Sequence, residues 1–124
     1  MKKAIIDCDG TLWDLHALII PELHKRYGVP DEYPTEWYWY RDYCFDDEFF
    51  AIVIDAHERQ ITYPPFDGAD KLFWTLHGLG YQIIVASHRR PHFTYQLARW
   101  LEGNLPWVWS GVYAGPSKHF MIEP

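Results

Sequence analysis

Lys2-Lys3-Ala4-Ile5-Ile6-Asp7-Cys8-Asp9-Gly10-Thr11-Leu12-Trp13 decides the fold. Ala4-Ile5-Ile6 is apolar on both faces, the pattern of a central parallel strand, and it ends in acids and a glycine. Side chains alternate along a strand, so Asp7 and Asp9 are expected to leave one face while Cys8 points away. Two carboxylates about 4 Å apart repel by about 4 kcal/mol at an effective dielectric of about 20. A fold retains such a pair only if a divalent cation or a shared proton offsets the repulsion. Gly10 allows a sharp turn where a ligand approaches.

Outward from this stretch the chain alternates. Residues 15–27 have helical spacing, with Leu15, Leu18, Ile19 and Leu23 on one face and Pro21 predicting a kink or two short helices. An aromatic run follows, with Trp37, Tyr38, Trp39, Tyr40 and Tyr43. Asp46-Asp47-Glu48 then starts a second helix whose apolar positions are Phe49, Ile52, Val53 and Ala56. Asp67 is expected to cap a third helix with the stripe Leu72, Phe73, Leu76 and Leu79. Residues 81–86 read as a buried strand. Pro91 opens a helix that turns Phe93, Leu97, Trp100 and Leu101 inward, and residues 108–113 read as a third strand. This order predicts an α/β fold, with a Rossmann-like parallel sheet flanked by helices. Residues 1–14 and 66–124 form its core, and residues 15–65 a small, mostly helical cap insert over the carboxyl ends of the strands, where ligands bind in such sheets.

The chain has 124 residues, a net charge of −6, 19 % aromatic residues and two cysteines. The acidic balance argues against nonspecific nucleic-acid binding. Cys8 and Cys44 match no metal or redox spacing. No signal peptide and no membrane-spanning run is read, so the expectation is a cytoplasmic protein that does not enter the membrane. No nucleophile elbow surrounds Ser87, which argues against a Ser-His-Asp hydrolase. His88 and His92 lack a third ligand for zinc.

Asp7-Cys8-Asp9-Gly10-Thr11-Leu12 resembles the first signature of the haloacid dehalogenase superfamily. The resemblance implies that Asp7 attacks phosphorus to form an aspartyl-phosphate. Asp9 would protonate the leaving oxygen and then activate water, with Gly10 and Thr11 beside the ligand. Ile83-Ile84-Val85-Ala86-Ser87 is similar to the second signature, which implies that Ser87 holds phosphoryl oxygens. His88 and Arg89 add positive charge there. Lys118 stands where the family's third signature has a lysine that neutralises the phosphoryl group. The implied cofactor is Mg2+, held by Asp7 and Asp9. The fourth signature, one or two acids on a later strand, has no counterpart, because Glu123 is the only acid after Lys118.

The insert is similar in length and place to the small helical cap of 5′(3′)-deoxyribonucleotidases. Trp37 and Tyr40 are accordingly expected to offer faces on which a nucleobase stacks. The implied activity is magnesium-dependent hydrolysis of a small phosphate monoester, a phosphorylated metabolite or nucleoside monophosphate. The alternative reading is a truncated or non-catalytic module of the same fold that binds a ligand or a protein partner through its aromatic insert.

Overall fold

The computed structural model describes residues 2–115, and Lys118 and Glu123 lie outside them. The elements run β1 (Lys3–Asp7), α1 (Leu15–Tyr27), α2 (Asp46–Arg59), α3 (Ala69–Gly78), β2 (Gln82–Ser87), α4 (Thr94–Asn104) and β3 (Trp109–Ala114). Short 3-10 turns at Gln60–Thr62 and Pro91–Phe93 follow α2 and precede α4. The three strands are parallel in the order β1-β2-β3. This is the expected α/β architecture, with one difference. Among the described strands, β2 rather than β1 is the middle one. Hydrogen bonded on one side only among the described strands, β1 keeps Ala4, Ile5 and Ile6 half-buried, whereas Ile83 and Val85 of β2 are fully buried.

α1 is one unbroken helix despite Pro21. Proline removes a single backbone hydrogen bond. Pro21 faces solvent, so the buried stripe of Leu15, Leu18, Ile19 and Leu23 passes behind it intact. Gly28, with φ +75°, closes the helix by donating its N–H to His24 O at 3.0 Å. α2 starts as expected. Three acids lie in its first turn, and the Glu48 carboxylate accepts the Phe45 N–H at 2.9 Å.

Two expectations for α3 fail. Gly68, not Asp67, occupies the N-cap, at φ +90°. Of the proposed stripe only Phe73 is fully buried, joined by Ala69, while Leu72 and Leu79 are exposed. α3 meets β2 through a narrow face one or two residues wide. One buried cluster runs through Cys8, Leu12 and Trp13 of the first loop, α1, α2, Phe73, β2 and α4. Among the described residues no helix is long and apolar enough to cross a membrane.

Candidate active site

Parallel register brings the two sequence signatures together. Asp7 pairs with Ala86, so β1 and β2 end at one edge and Ser87 stands one step beyond Asp7's partner. Asp7 is exposed there. After it the chain leaves the strand in a tight turn. Gly10, at φ +76°, donates its N–H to Trp13 O at 3.0 Å, and Leu12 N–H reaches Cys8 O at 2.8 Å. A side chain at position 10 would be strained by that backbone conformation. The turn buries Cys8, Leu12 and Trp13 and leaves Gly10 and Thr11 exposed.

Asp9 lies inside a ring of donors. Its Oδ1 accepts the Trp13 indole N–H at 2.8 Å and an Arg89 Nη2–H at 2.7 Å. Its Oδ2 meets His57 Nε2 at 2.9 Å and accepts the Ser87 hydroxyl at 3.3 Å. A carboxylate offers about four lone-pair positions, and all four are used. Burial alone would push the Asp9 pKa up. The His57 hydrogen bond, the Arg89 charge, the His57 charge and the Trp13 hydrogen bond outweigh it and hold the carboxyl well below the usual range. Repulsion between Asp7 and Asp9 calls for a cation or a shared proton near the pair. The fold instead places a fixed guanidinium on Asp9.

Arg89 is buried, and each of its three guanidinium nitrogens has a partner. Nε donates to Ser87 Oγ at 2.7 Å, Nη1 to Gln60 Oε1 at 2.9 Å and Nη2 to Asp9. Its expected place as a positive group facing substrate is therefore corrected: the guanidinium is an internal partner of Asp9. His88, beside it, is exposed. Ser87 is itself fully buried, with its hydroxyl shared between Arg89 and Asp9. Burial pushes the Cys8 thiol up to about 12, helped by the Asp9 charge and opposed by Arg89, so Cys8 is no nucleophile.

The aromatic residues of the insert divide. Tyr40 is 2 % exposed, its ring stacked on Phe49 at 3.7 Å between centroids and 4° between planes. It packs the insert and offers no face to a base, which corrects that expectation. Trp37 is 91 % exposed and keeps both faces open to a ligand. Lys118 lies outside the described residues.

Two residues of this site were not singled out in the sequence, His57 and Gln60. Both are buried polar side chains from the end of the insert. Their signal was their spacing. They stand four residues beyond Val53 and Ala56, so they prolong the apolar stripe of α2 with polar groups. Polar residues on a buried stripe need partners, and here the partners are Asp9, Arg89 and Cys8.

No family model matches the sequence, and no curated protein matches it. Solved structures do. A hydrolase from Streptococcus pneumoniae TIGR4 superposes with a TM-score of 0.53 at 18 % identity, over 92 % of this chain and 67 % of that one. A structure described as a phosphoglycolate phosphatase from Lactobacillus delbrueckii subsp. bulgaricus gives 0.59 at 17 % identity, over 95 % and 65 %. One described as a phosphatase from Clostridium difficile gives 0.51 at 15 %, over 93 % and 62 %. The chain thus spans about two thirds of the length of the structures it matches. At these identities the likeness concerns the fold alone, a parallel sheet flanked by helices that this chain shares with these hydrolase and phosphatase structures.

Proposed function

We propose that this chain is a phosphohydrolase acting on a small phosphate monoester, a nucleoside monophosphate in the first instance, with Asp7 as nucleophile and Mg2+ as cofactor. The observation that carries the reading is the meeting of Asp7, Asp9 and Ser87 at one edge of two adjacent parallel strands. The phosphatases and the hydrolase that share the fold support it.

In this reading an Asp7 oxygen attacks phosphorus as the bond from phosphorus to the leaving oxygen breaks. The leaving oxygen takes up a proton. Water then attacks the aspartyl-phosphate at phosphorus, loses its proton and releases phosphate, restoring Asp7. Asp9 is the group that would give the first proton and take the second. Its four donors hold it deprotonated in the free protein, so it must first bind a proton from solvent before it can give one to the leaving oxygen. The Ser87 bond, at 3.3 Å, is the longest of the four. A phosphoryl oxygen that drew the Ser87 hydroxyl to itself would loosen Asp9 just when substrate is present, and would give Ser87 the phosphoryl contact expected of it.

Mg2+ takes oxygen ligands, commonly one or two carboxylates with waters and substrate phosphate. The Asp7 carboxylate and the Asp9 main-chain carbonyl fit that donor set. The Asp9 carboxylate does not, because its positions are filled. Among the described residues no group of three or more His, Cys, Asp or Glu side chains forms a metal cluster. When bound, the ion neutralises charge on the phosphoryl oxygens.

A second reading, a ligand-binding module without turnover, is favoured by the filled acceptor positions of Asp9. Phosphate release from a panel of nucleoside monophosphates, with and without magnesium, separates the two. We expect magnesium-dependent release by the wild type and none by Asp7→Asn. Absence of release from the wild type would leave the module reading, and equal rates in both proteins would remove Asp7 from the reaction.

A further inference from the structure

The polar bonds around Asp9 also tie two parts of the chain together. His57 lies in the last turn of α2 and Gln60 opens the turn after it, while Cys8, Asp9, Ser87 and Arg89 belong to the end of β2 and the loops beyond β1 and β2. Gln60 is 2 % exposed, and both ends of its amide are spent on that edge. Oε1 accepts from Arg89 Nη1 at 2.9 Å, and Nε2 donates to Cys8 Sγ at 3.6 Å. The His57 ring lies edge-on to Phe93, 5.8 Å between centroids, which fixes the direction of its Nε2 toward Asp9. The chain beyond them is fastened as well. Trp100 Nε1–H reaches Tyr63 O at 2.7 Å, and Phe66 N–H reaches Leu12 O at 2.7 Å. The stretch from 57 to 66 is therefore bonded to Asp9, to Arg89, to α4 and to the turn after β1.

From this arrangement we propose that His57 and Gln60 are positioning residues, which hold the Asp9 carboxylate and its Arg89 partner in one orientation, so that the seating of the insert determines how Asp9 is presented at the strand edge. The inference rests on the phosphohydrolase reading for its catalytic consequence but not for its geometric one. Arg89 has one side-chain oxygen from the insert, Gln60 Oε1, to set the turn of its guanidinium plane. Asp9 has one insert partner, His57. Without these two bonds Asp9 and Arg89 remain paired and keep Trp13 and Ser87, but residues 57 and 60 no longer limit how far the pair can tilt between those partners. A misplacement of about 1 Å can cost about 100-fold in rate.

The Trp13 indole N–H reports on Asp9 directly, since it is donated to Oδ1 at 2.8 Å. Its resonance in a nitrogen-15 correlation spectrum is identified by its loss in Trp13→Phe. His57→Phe keeps a ring against Phe93 and removes the donor, Gln60→Met keeps the bulk and removes both polar bonds, and His57→Gln restores an N–H. We expect the Trp13 signal to move in His57→Phe and in Gln60→Met and to return toward its wild-type position in His57→Gln. We expect kcat for phosphate release to fall by about 10- to 100-fold in the first two, with KM changed less than about twofold, and to recover in the third. A Trp13 signal unmoved in folded His57→Phe overturns the inference, as does a loss in His57→Phe that His57→Gln does not relieve. If Gln60→Met does not fold, the pair of His57 variants decides. Lack of turnover in the wild type would count against the phosphohydrolase reading alone, because the Trp13 signal still shows whether the insert orients Asp9.

Discussion

Arg89 Nη2 lies 2.7 Å from Asp9 Oδ1, with the guanidinium fully buried and the carboxylate 18 % exposed. Desolvating two such charges is costly, and the pair persists because Ser87, Gln60 and Cys8 also accept from the guanidinium while Trp13, His57 and Ser87 donate to the carboxylate. Removing one partner strands the other. Arg89→Met is expected to lose about 3–5 kcal/mol of stability in urea unfolding. Arg89→Lys is expected to recover only part, because a lysine is a point charge and cannot bond Ser87, Gln60 and Asp9 in a fork. Arg89→Met combined with Asp9→Asn is expected to lose less than the two single losses added, since the lone buried charge is gone.

Asp9 also sets an acid limb for stability. Its folded pKa is depressed, so the unfolded chain binds its proton at a higher pH than the folded one. The stabilisation is thus complete above the unfolded carboxyl range and is lost as pH falls through that range toward the folded value. Urea midpoints measured from neutral pH downward are expected to drop steeply below about pH 4, the unfolded carboxyl region. In Asp9→Asn the same drop is expected to be shallower. An equal slope in the two proteins would assign the acid limb to other carboxylates.

The strand-loop Asp7-Cys8-Asp9-Gly10 and the strand ending in Ser87 were readable because both depend on local pattern, an apolar run followed by a break. The parallel register then brought them together without further information. What local pattern concealed was the partnership across 48 and 80 positions that joins Asp9 to His57 and Arg89. Arg89 follows a serine in a charged stretch and reads as a solvated loop cation. Only the turn after β2 shows it folding back beneath Ser87. Tyr40 and Trp37 pose the same difficulty. They stand three apart in one aromatic run, and nothing in composition separates the one that stacks on Phe49 from the one that faces solvent.

Cys8 is expected to be chemically silent in the folded protein. It is fully buried, and burial pushes its thiol up to about 12, so little thiolate exists near neutral pH. In a Cys44→Ser background Cys8 is the remaining thiol. Labelling by a disulfide reagent at pH 8 is expected to be slow in buffer and rapid in concentrated urea. Rapid labelling in buffer would mean that the Cys8–Gln60 contact opens readily, which would also loosen the hold of the insert on Arg89.

The aromatic run gives a prediction in which stability and binding part. Tyr40 stacks on Phe49 and donates its hydroxyl to Asp46 at 3.0 Å, so it joins the loop to the first turn of α2. Tyr40→Ala removes a buried ring and is expected to cost about 3–5 kcal/mol, the range for large aromatic truncations in a core. Trp37, 91 % exposed, carries almost no packing, and Trp37→Ala is expected to leave stability within about 0.5 kcal/mol. If Trp37 offers its face to a nucleobase, that variant loses binding rather than chemistry. KM for nucleoside monophosphates is then expected to rise while kcat holds, since a contact equal in ground and transition states acts on KM alone. KM for a phosphate ester without an aromatic group should stay unchanged, because it has no ring to stack. An unchanged KM for every substrate would take Trp37 out of recognition.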